Sequence, residues 1–267
     1  MKRLFLAFLW MFVLSVPVAR AERPRMTAQE AYELGLRYLK NGSYTKALEQ
    51  LNRVRTYYRD DPYALKAELA IADVHFKKAE WDAARLAYED FQRAHPRYRD
   101  LDYVVYQLGL TLFKKAPLVA ARDQTATREA VDEWTGFGPR FPESEWRDEV
   151  EKGLMDARNR LARKELLVAR FYERRSAWAA VVGRTEALLR DFPQSADRIE
   201  ALGLLGRGYA GLGRTEQARQ VVERLRIDAP ESREIADVEK AIAEAEEAAA
   251  EKAAAEAAAA PPVPTAP

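Results

Sequence analysis

Residues 160–195, RLARKELLVARFYERRSAWAAVVGRTEALLRDFPQS, constrain the fold more than any other stretch. Leu161, Glu165, Val168 and Phe171/Tyr172 recur at three-to-four-residue spacing, which places them on one face of a helix. Arg174-Arg175-Ser176 is a short polar break. Trp178, Val181, Thr185 and Leu188 then line one face of a second helix, which must stop before Pro193 because proline lacks the N–H of a helix interior. Such a hairpin leaves one side of each helix uncovered, so it needs neighbours of its own kind.

The sequence supplies them. Aligned on the small residue of the second helix, Ala47, Ala84, Val181 and Ala218 stand in register. Tyr44, Trp81, Trp178 and Thr215 stand three positions earlier; Tyr38, His75, Tyr172 and Tyr209 nine earlier; and Gly35, Ala72, Ala169 and Gly206 twelve earlier. This small–aromatic–aromatic–small pattern is the signature of tetratricopeptide (TPR) repeats: small residues let helices approach, and aromatics fill the space between hairpins. Asp61-Pro62, His95-Pro96, Phe141-Pro142, Phe192-Pro193 and Ala229-Pro230 close successive units. The expected fold is an all-α, right-handed α-solenoid of five hairpins, at about 27–61, 62–97, 98–142, 143–193 and 194–230.

Two units are irregular. In the third, a first helix from Leu101 to Phe113 carries Gly109 at the small position, and an insertion, Lys114 to Thr127, delays the second helix. The fourth has a long first helix, about Ser144 to Arg174, with Trp146, Val150, Leu154, Ala157, Leu161, Glu165, Val168 and Tyr172 as its stripe. Glu165 sits either at the edge of that stripe or against a cation. Residues 231–260, almost all Ala, Glu and Lys, favour helix strongly but offer only an alanine face. Residues 261–267 read as a disordered, Pro-rich tail.

The N-terminus sets the expected compartment. Lys2 and Arg3 precede an apolar run from Leu4 to Val16, then Pro17 and Ala19-Arg20-Ala21. This is the layout of a secretory signal peptide, 1–21, cleaved after Ala21, with 22–26 a polar lead. The competing reading is an uncleaved anchor. Removing Lys2, Arg3 and Arg20 with the leader takes the net charge from +1 to −2. So neutral a chain is a poor nucleic-acid binder.

The sequence offers no constellation for catalysis, and the chain reads as a non-enzyme without cofactors. There are no cysteines, which excludes disulfides, thiolate chemistry and Cys-ligated zinc. His75 takes the place of a repeat tyrosine and reads as a core residue; His95 precedes Pro96 in a turn. Neither has metal-ligand spacing, and there is no Gly-rich phosphate loop. Arg158, Arg160, Arg163, Lys164, Arg170, Arg174 and Arg175 make one helix notably basic, either as a solvated, salt-bridged face or as a patch for an acidic partner.

Several segments together resemble the BamD family (also called YfiO or ComL), the TPR component of the outer-membrane β-barrel assembly machinery. They are His95-Pro96 followed by Leu101-Asp102-Tyr103-Val104-Val105-Tyr106 and Gly109-Leu110; Arg122-Asp123-Gln124-Thr125 with Ala130; Arg140-Phe141-Pro142-Glu143-Ser144; and ELLVARFYERRSAWAAVVGRTEALLRDFPQS, Glu165 to Ser195. The resemblance spans about Thr27 to Pro230. It implies a periplasmic scaffold, peripheral to the outer membrane, that binds the barrel-forming subunit through its periplasmic domains and takes unfolded outer-membrane proteins. The family typically carries a lipid-accepting Cys after its leader. This chain has no cysteine, so the resemblance places it at the membrane through a protein partner. A different periplasmic TPR adaptor, serving envelope division, polymer secretion or a peptidoglycan-linked complex, is the alternative.

Residue by residue, the resemblance assigns partner contact to Arg184, in VVGRTE; Arg170 and Arg174, from the basic helix before it, are the further partner-binding candidates. A planar guanidinium suits carboxylate recognition; an intramolecular pair with a neighbouring helix is the competing reading. The resemblance implies that unfolded precursors are recognised in the N-terminal repeats, and Tyr63, Tyr103 and Tyr106 are the candidate aromatic residues of that groove. Packing between repeats competes for Tyr103 and Tyr106.

Overall fold

The computed structural model describes residues 26–259. The leader 1–21, the polar lead up to residue 25 and the tail 261–267 lie outside the described residues. Within them the chain is all α, with twelve helices and no strand. It falls into two compact units, one ending at Ala67 and the other beginning at Glu68.

The first unit holds α1 (Ala28–Lys40), α2 (Tyr44–Tyr57) and the start of α3 (Pro62–Lys77). A capping box starts α1: Thr27 Oγ1 accepts from the Glu30 N–H at 3.2 Å, and Glu30 Oε2 accepts from the Thr27 N–H at 2.8 Å. This also pulls the Glu30 carboxyl below its ordinary pKa. Ala31, Ala47, Leu51 and Val54 are fully buried between α1 and α2. Gly35 lies against Leu51, and a Cβ there would sit 2.8 Å from Leu51 Cγ.

The second unit continues α3 into α4 (Trp81–Ala94), α5 (Leu101–Lys115), α6 (Thr125–Trp134), the short α7 (Phe137–Arg140), α8 (Arg147–Glu173), α9 (Trp178–Asp191), α10 (Arg198–Gly211), α11 (Thr215–Asp228) and α12 (Arg233–Ala259). Helices consecutive in sequence pack on each other, α5 on α6, α8 on α9 and α10 on α11, while α12 lies against α10 and α11. The aligned small residues are where backbones meet: Ala72, Ala84, Ala169, Val181 and Ala218 are all fully buried.

The third hairpin is held by Trp134, 1% exposed. Its indole fills the space left by two glycines: a Cβ on Gly109 of α5 would collide with it, and one on Gly153 of α8 would come within 2.7 Å of its Cη2. Its Nε1–H donates to the Tyr106 carbonyl at 3.3 Å. Gln124, fully buried, staples the inserted loop. Its amide donates to the carbonyls of Pro117 and Val119, both at 3.1 Å, and its Oε1 accepts from the Thr127 hydroxyl at 2.6 Å.

Two expectations need correction. The stripe of α8 does not continue straight. Val150, Ala157 and Leu161 are buried as expected, but beyond them the buried residues are Ala162, Leu166 and Ala169, not Glu165 and Val168. At about 100° per residue the buried face rotates by roughly a third of a turn. The N-terminal half of α8 faces Trp134 of α6, whereas Ala162, Leu166 and Ala169 join Val181 and Leu188 of α9 and Ala201 and Leu204 of α10. His75 is not a core residue. Its side chain is 23% exposed and its Nδ1 lies 2.7 Å from Glu80 Oε2, so it braces the α3–α4 turn.

Candidate functional site

The α8–α9 hairpin carries the expected arginines. Arg184 projects from α9 and its Nη1–H donates to Glu165 Oε2 of α8 at 3.0 Å. The rotated buried face of α8 leaves Glu165 at its edge, able to take that bond. Arg184 keeps 48% of its side chain exposed and Glu165 21%. Arg170 pairs with Glu200 of α10. Arg174, at the C-terminal end of α8, is exposed and makes no ion pair among the described residues. Beside it Phe171, 42% exposed, lies under the Arg175 guanidinium at 3.6 Å. The intramolecular pairs anticipated as the competing reading are therefore present for Arg184 and Arg170. In both pairs the guanidinium is the more exposed partner, and pairs open to solvent on one side contribute about 1 kcal/mol.

Deeper in the same region, Arg207 of α10 donates to Glu173 of α8 at 2.8 Å and to Glu234 of α12 at 2.7 Å. Glu234 is 7% exposed. This two-sided pair ties α12 to the hairpin that bears Arg184.

The aromatic residues fall in both units. In the first, Tyr63 meets Tyr32, ring centroids 5.4 Å apart, with Lys66 Nζ 4.9 Å above its ring. In the second, Tyr103 and Tyr106 of α5 both meet Trp146, which immediately precedes α8. Tyr106 stacks on it at 4.8 Å with an 8° interplanar angle, and Tyr103 tilts against it at 5.4 Å. The three rings form a half-buried wall. The bond from Trp134 to the Tyr106 carbonyl fixes α5 behind it.

Behind Tyr103 lies a polar group that the repeat pattern does not mark. Asp73 Oδ1 accepts from the Tyr88 hydroxyl at 2.6 Å and from the Tyr103 hydroxyl at 2.8 Å. Burial raises the Asp73 pKa, opposed by the two tyrosine bonds and by Lys77. The same burial, with the Asp73 charge, raises both tyrosines. A carboxylate inside the apolar run Leu69-Ala70-Ile71-Ala72-Asp73-Val74 was the available signal.

Among the described residues no group of three or more His, Cys, Asp or Glu is placed to hold a metal ion. No helix among them is long and apolar enough to cross a membrane.

Paired helices meeting at small residues, with aromatic and arginine-bearing surfaces left accessible, define a tetratricopeptide-repeat protein. The chain belongs to the YfiO family, described as outer membrane lipoprotein, whose pattern matches residues 24–225. It is 29% identical over 217 residues to the outer membrane protein assembly factor BamD of Xylella fastidiosa strain 9a5c, covering 77% of this chain and 74% of that one. It is 27% identical to the BamD factor of Pasteurella multocida, covering 79% and 84%, and 27% identical to that of Neisseria meningitidis serogroup A, covering 73% and 76%.

Proposed function

We propose that this chain is a non-enzymatic periplasmic scaffold of outer-membrane β-barrel assembly. It binds the barrel-forming subunit through that subunit's periplasmic domains and takes segments of unfolded barrel precursors. The observation that carries the reading is the family match over 24–225. That span includes the inserted loop, the long α8 and the Arg184-bearing α9, and the relatives it joins are assembly factors.

In this reading Arg184, with Arg170 and Arg174 nearby in sequence on α8, meets carboxylates of the barrel-forming subunit. Guanidinium groups held in weak intramolecular pairs are pre-oriented and readily exchanged. The wall of Tyr103, Tyr106 and Trp146 offers apolar faces with polar edges to an extended precursor segment, as Tyr63 does in the other unit.

Attachment to the membrane runs through these protein contacts, since a chain with no cysteine has no thiol to acylate. Affinity purification of the chain from envelope extract, read by mass spectrometry, tests the reading. It requires recovery of the barrel-forming subunit and release of the chain from washed membranes by high salt, which screens arginine contacts. Recovery of division or peptidoglycan-linked proteins in its place contradicts the reading.

A further inference from the structure

The inserted loop between α5 and α6 holds two adjacent large apolar residues in water. Leu118 is 86% exposed and Val119 59%, and Ala121 beside them is exposed as well. The loop is built to keep them there. Gln124 is fully buried, and its amide donates to the carbonyls of Pro117 and Val119 at 3.1 Å, so it clamps the chain close on both sides of Leu118. The Val119 carbonyl also accepts from the Arg122 N–H at 3.0 Å. Ala116, buried, fixes the near end of the loop to the core. Scattered exposed apolar residues need no explanation, but a contiguous pair held outward by a buried clamp marks a contact surface.

The free charges around this tip have one sign. Lys114, Arg122 and Arg128 are exposed and make no ion pair among the described residues. Asp123 is committed within the loop: its Oδ1 accepts from the Thr125 N–H at 3.3 Å and from the Thr125 hydroxyl at 2.9 Å. Asp82, the other carboxylate that reaches the loop's base, is paired with Lys115. Two features then select a lipid surface over a protein. The cationic collar fits anionic headgroups. The tip fits a medium that offers no hydrogen bonds, because the carbonyls of Pro117 and Val119 are already bonded inward and Pro117 has no N–H to present. Hydrocarbon requires that self-sufficiency, whereas a protein interface carries about one hydrogen bond per 100–200 Å².

We propose that Leu118 and Val119 dip into an anionic bilayer surface, with Lys114, Arg122 and Arg128 against its headgroups. This goes beyond the protein-mediated attachment described above and adds a direct contact to it. Two side chains and a few cations do not anchor a protein by themselves. They set the orientation of a scaffold that its partner holds at the membrane.

The chain has no cysteine, so Ala121→Cys gives a single attachment point for an environment-sensitive dye beside the tip. The purified, labelled chain is titrated at low salt with vesicles of phosphatidylglycerol and phosphatidylcholine in equal parts, and with vesicles of phosphatidylcholine alone. The dye emission is expected to rise, shift to the blue and saturate on the anionic vesicles, and to change much less on the neutral ones. Leu118→Ser combined with Val119→Ser in the same labelled chain is expected to need about tenfold more lipid or worse, as the loss of two buried aliphatic side chains warrants. Arg122→Glu should move the same way. All three residues are exposed, so the circular dichroism of these variants should match the parent. No response by the labelled parent, an equal response to both kinds of vesicle, or a response that the double serine variant leaves unchanged overturns the proposal. The double serine variant should still recover the barrel-forming subunit in the affinity purification. Loss of that recovery assigns the tip to the protein interface and overturns the lipid contact.

Discussion

Arg184 Nη1 and Glu165 Oε2 lie 3.0 Å apart across the α8–α9 hairpin. Glu165 is mostly covered, whereas Arg184 is about half exposed. The pair therefore orients a guanidinium outward without burying it. Arg184→Ala therefore changes two things at once, a surface cation and the partner of Glu165.

Trp134 should be among the most costly side chains to remove. It fills the gap between Gly109 and Gly153 and is almost wholly buried. Trp134→Ala should lose about 3–5 kcal/mol. Gly109→Ala or Ala218→Leu should overpack and lose about 1–3 kcal/mol. Urea unfolding followed by far-ultraviolet circular dichroism reads all three. A midpoint unchanged in Trp134→Ala would show that the hairpin does not depend on it.

The contrast between these sites shows what was legible in the chain alone. Ala47, Ala84 and Ala218 could be found because each recurs at a fixed offset from an aromatic, and each is fully buried. Trp134 could not, because the inserted loop removes the second helix of that hairpin from the common register, and its partners Gly109 and Gly153 lie on two different helices. The rotating face of α8 was hidden for a related reason. Periodicity assumes one partner along the helix, and α8 changes partner near Leu161. The repeat position of His75 does not reveal its partial exposure, because the partner that draws its ring outward, Glu80, lies beyond the turn. Arg184 was legible as a residue by family resemblance, but its bond to Glu165 required the two helices to be placed.

Arg207 should control the docking of α12. Its removal leaves the nearly buried Glu234 with only the exposed Arg233 at 4.0 Å, which costs about 3 kcal/mol. Arg207→Met should increase amide hydrogen exchange over Arg233–Ala245 ahead of the rest of the second unit. Exchange that rises uniformly, or not at all, would mean that Val238 and Ile242 hold the helix without the ion pairs.

Asp73 should give the fold a specific pH dependence. Its pKa is raised by burial above the ordinary 3.8, so the folded state binds the proton more tightly than the unfolded state does. Stability from this group is therefore full below about pH 3.8 and falls as pH rises from there through the elevated folded value. Asp73→Asn should remove that component. The difference in unfolding free energy between parent and variant, followed upward from about pH 3, should shift in favour of the variant above about pH 3.8 and level off once the pH passes the elevated folded value. A constant difference across that range would place Asp73 in an environment no different from water.

The most direct measurement is the affinity of the purified chain for the periplasmic domains of the barrel-forming subunit, compared across three proteins: the parent, Arg184→Glu, and the double swap Glu165→Arg with Arg184→Glu. The swap restores an intramolecular pair of opposite polarity, so its stability should match the parent while the charge offered to the partner is reversed. The account predicts saturable binding by the parent, and a loss of about tenfold or more in both variants, as expected for truncating a charged interface contact. Absence of binding by the parent, or parent-like binding by the double swap, would contradict it.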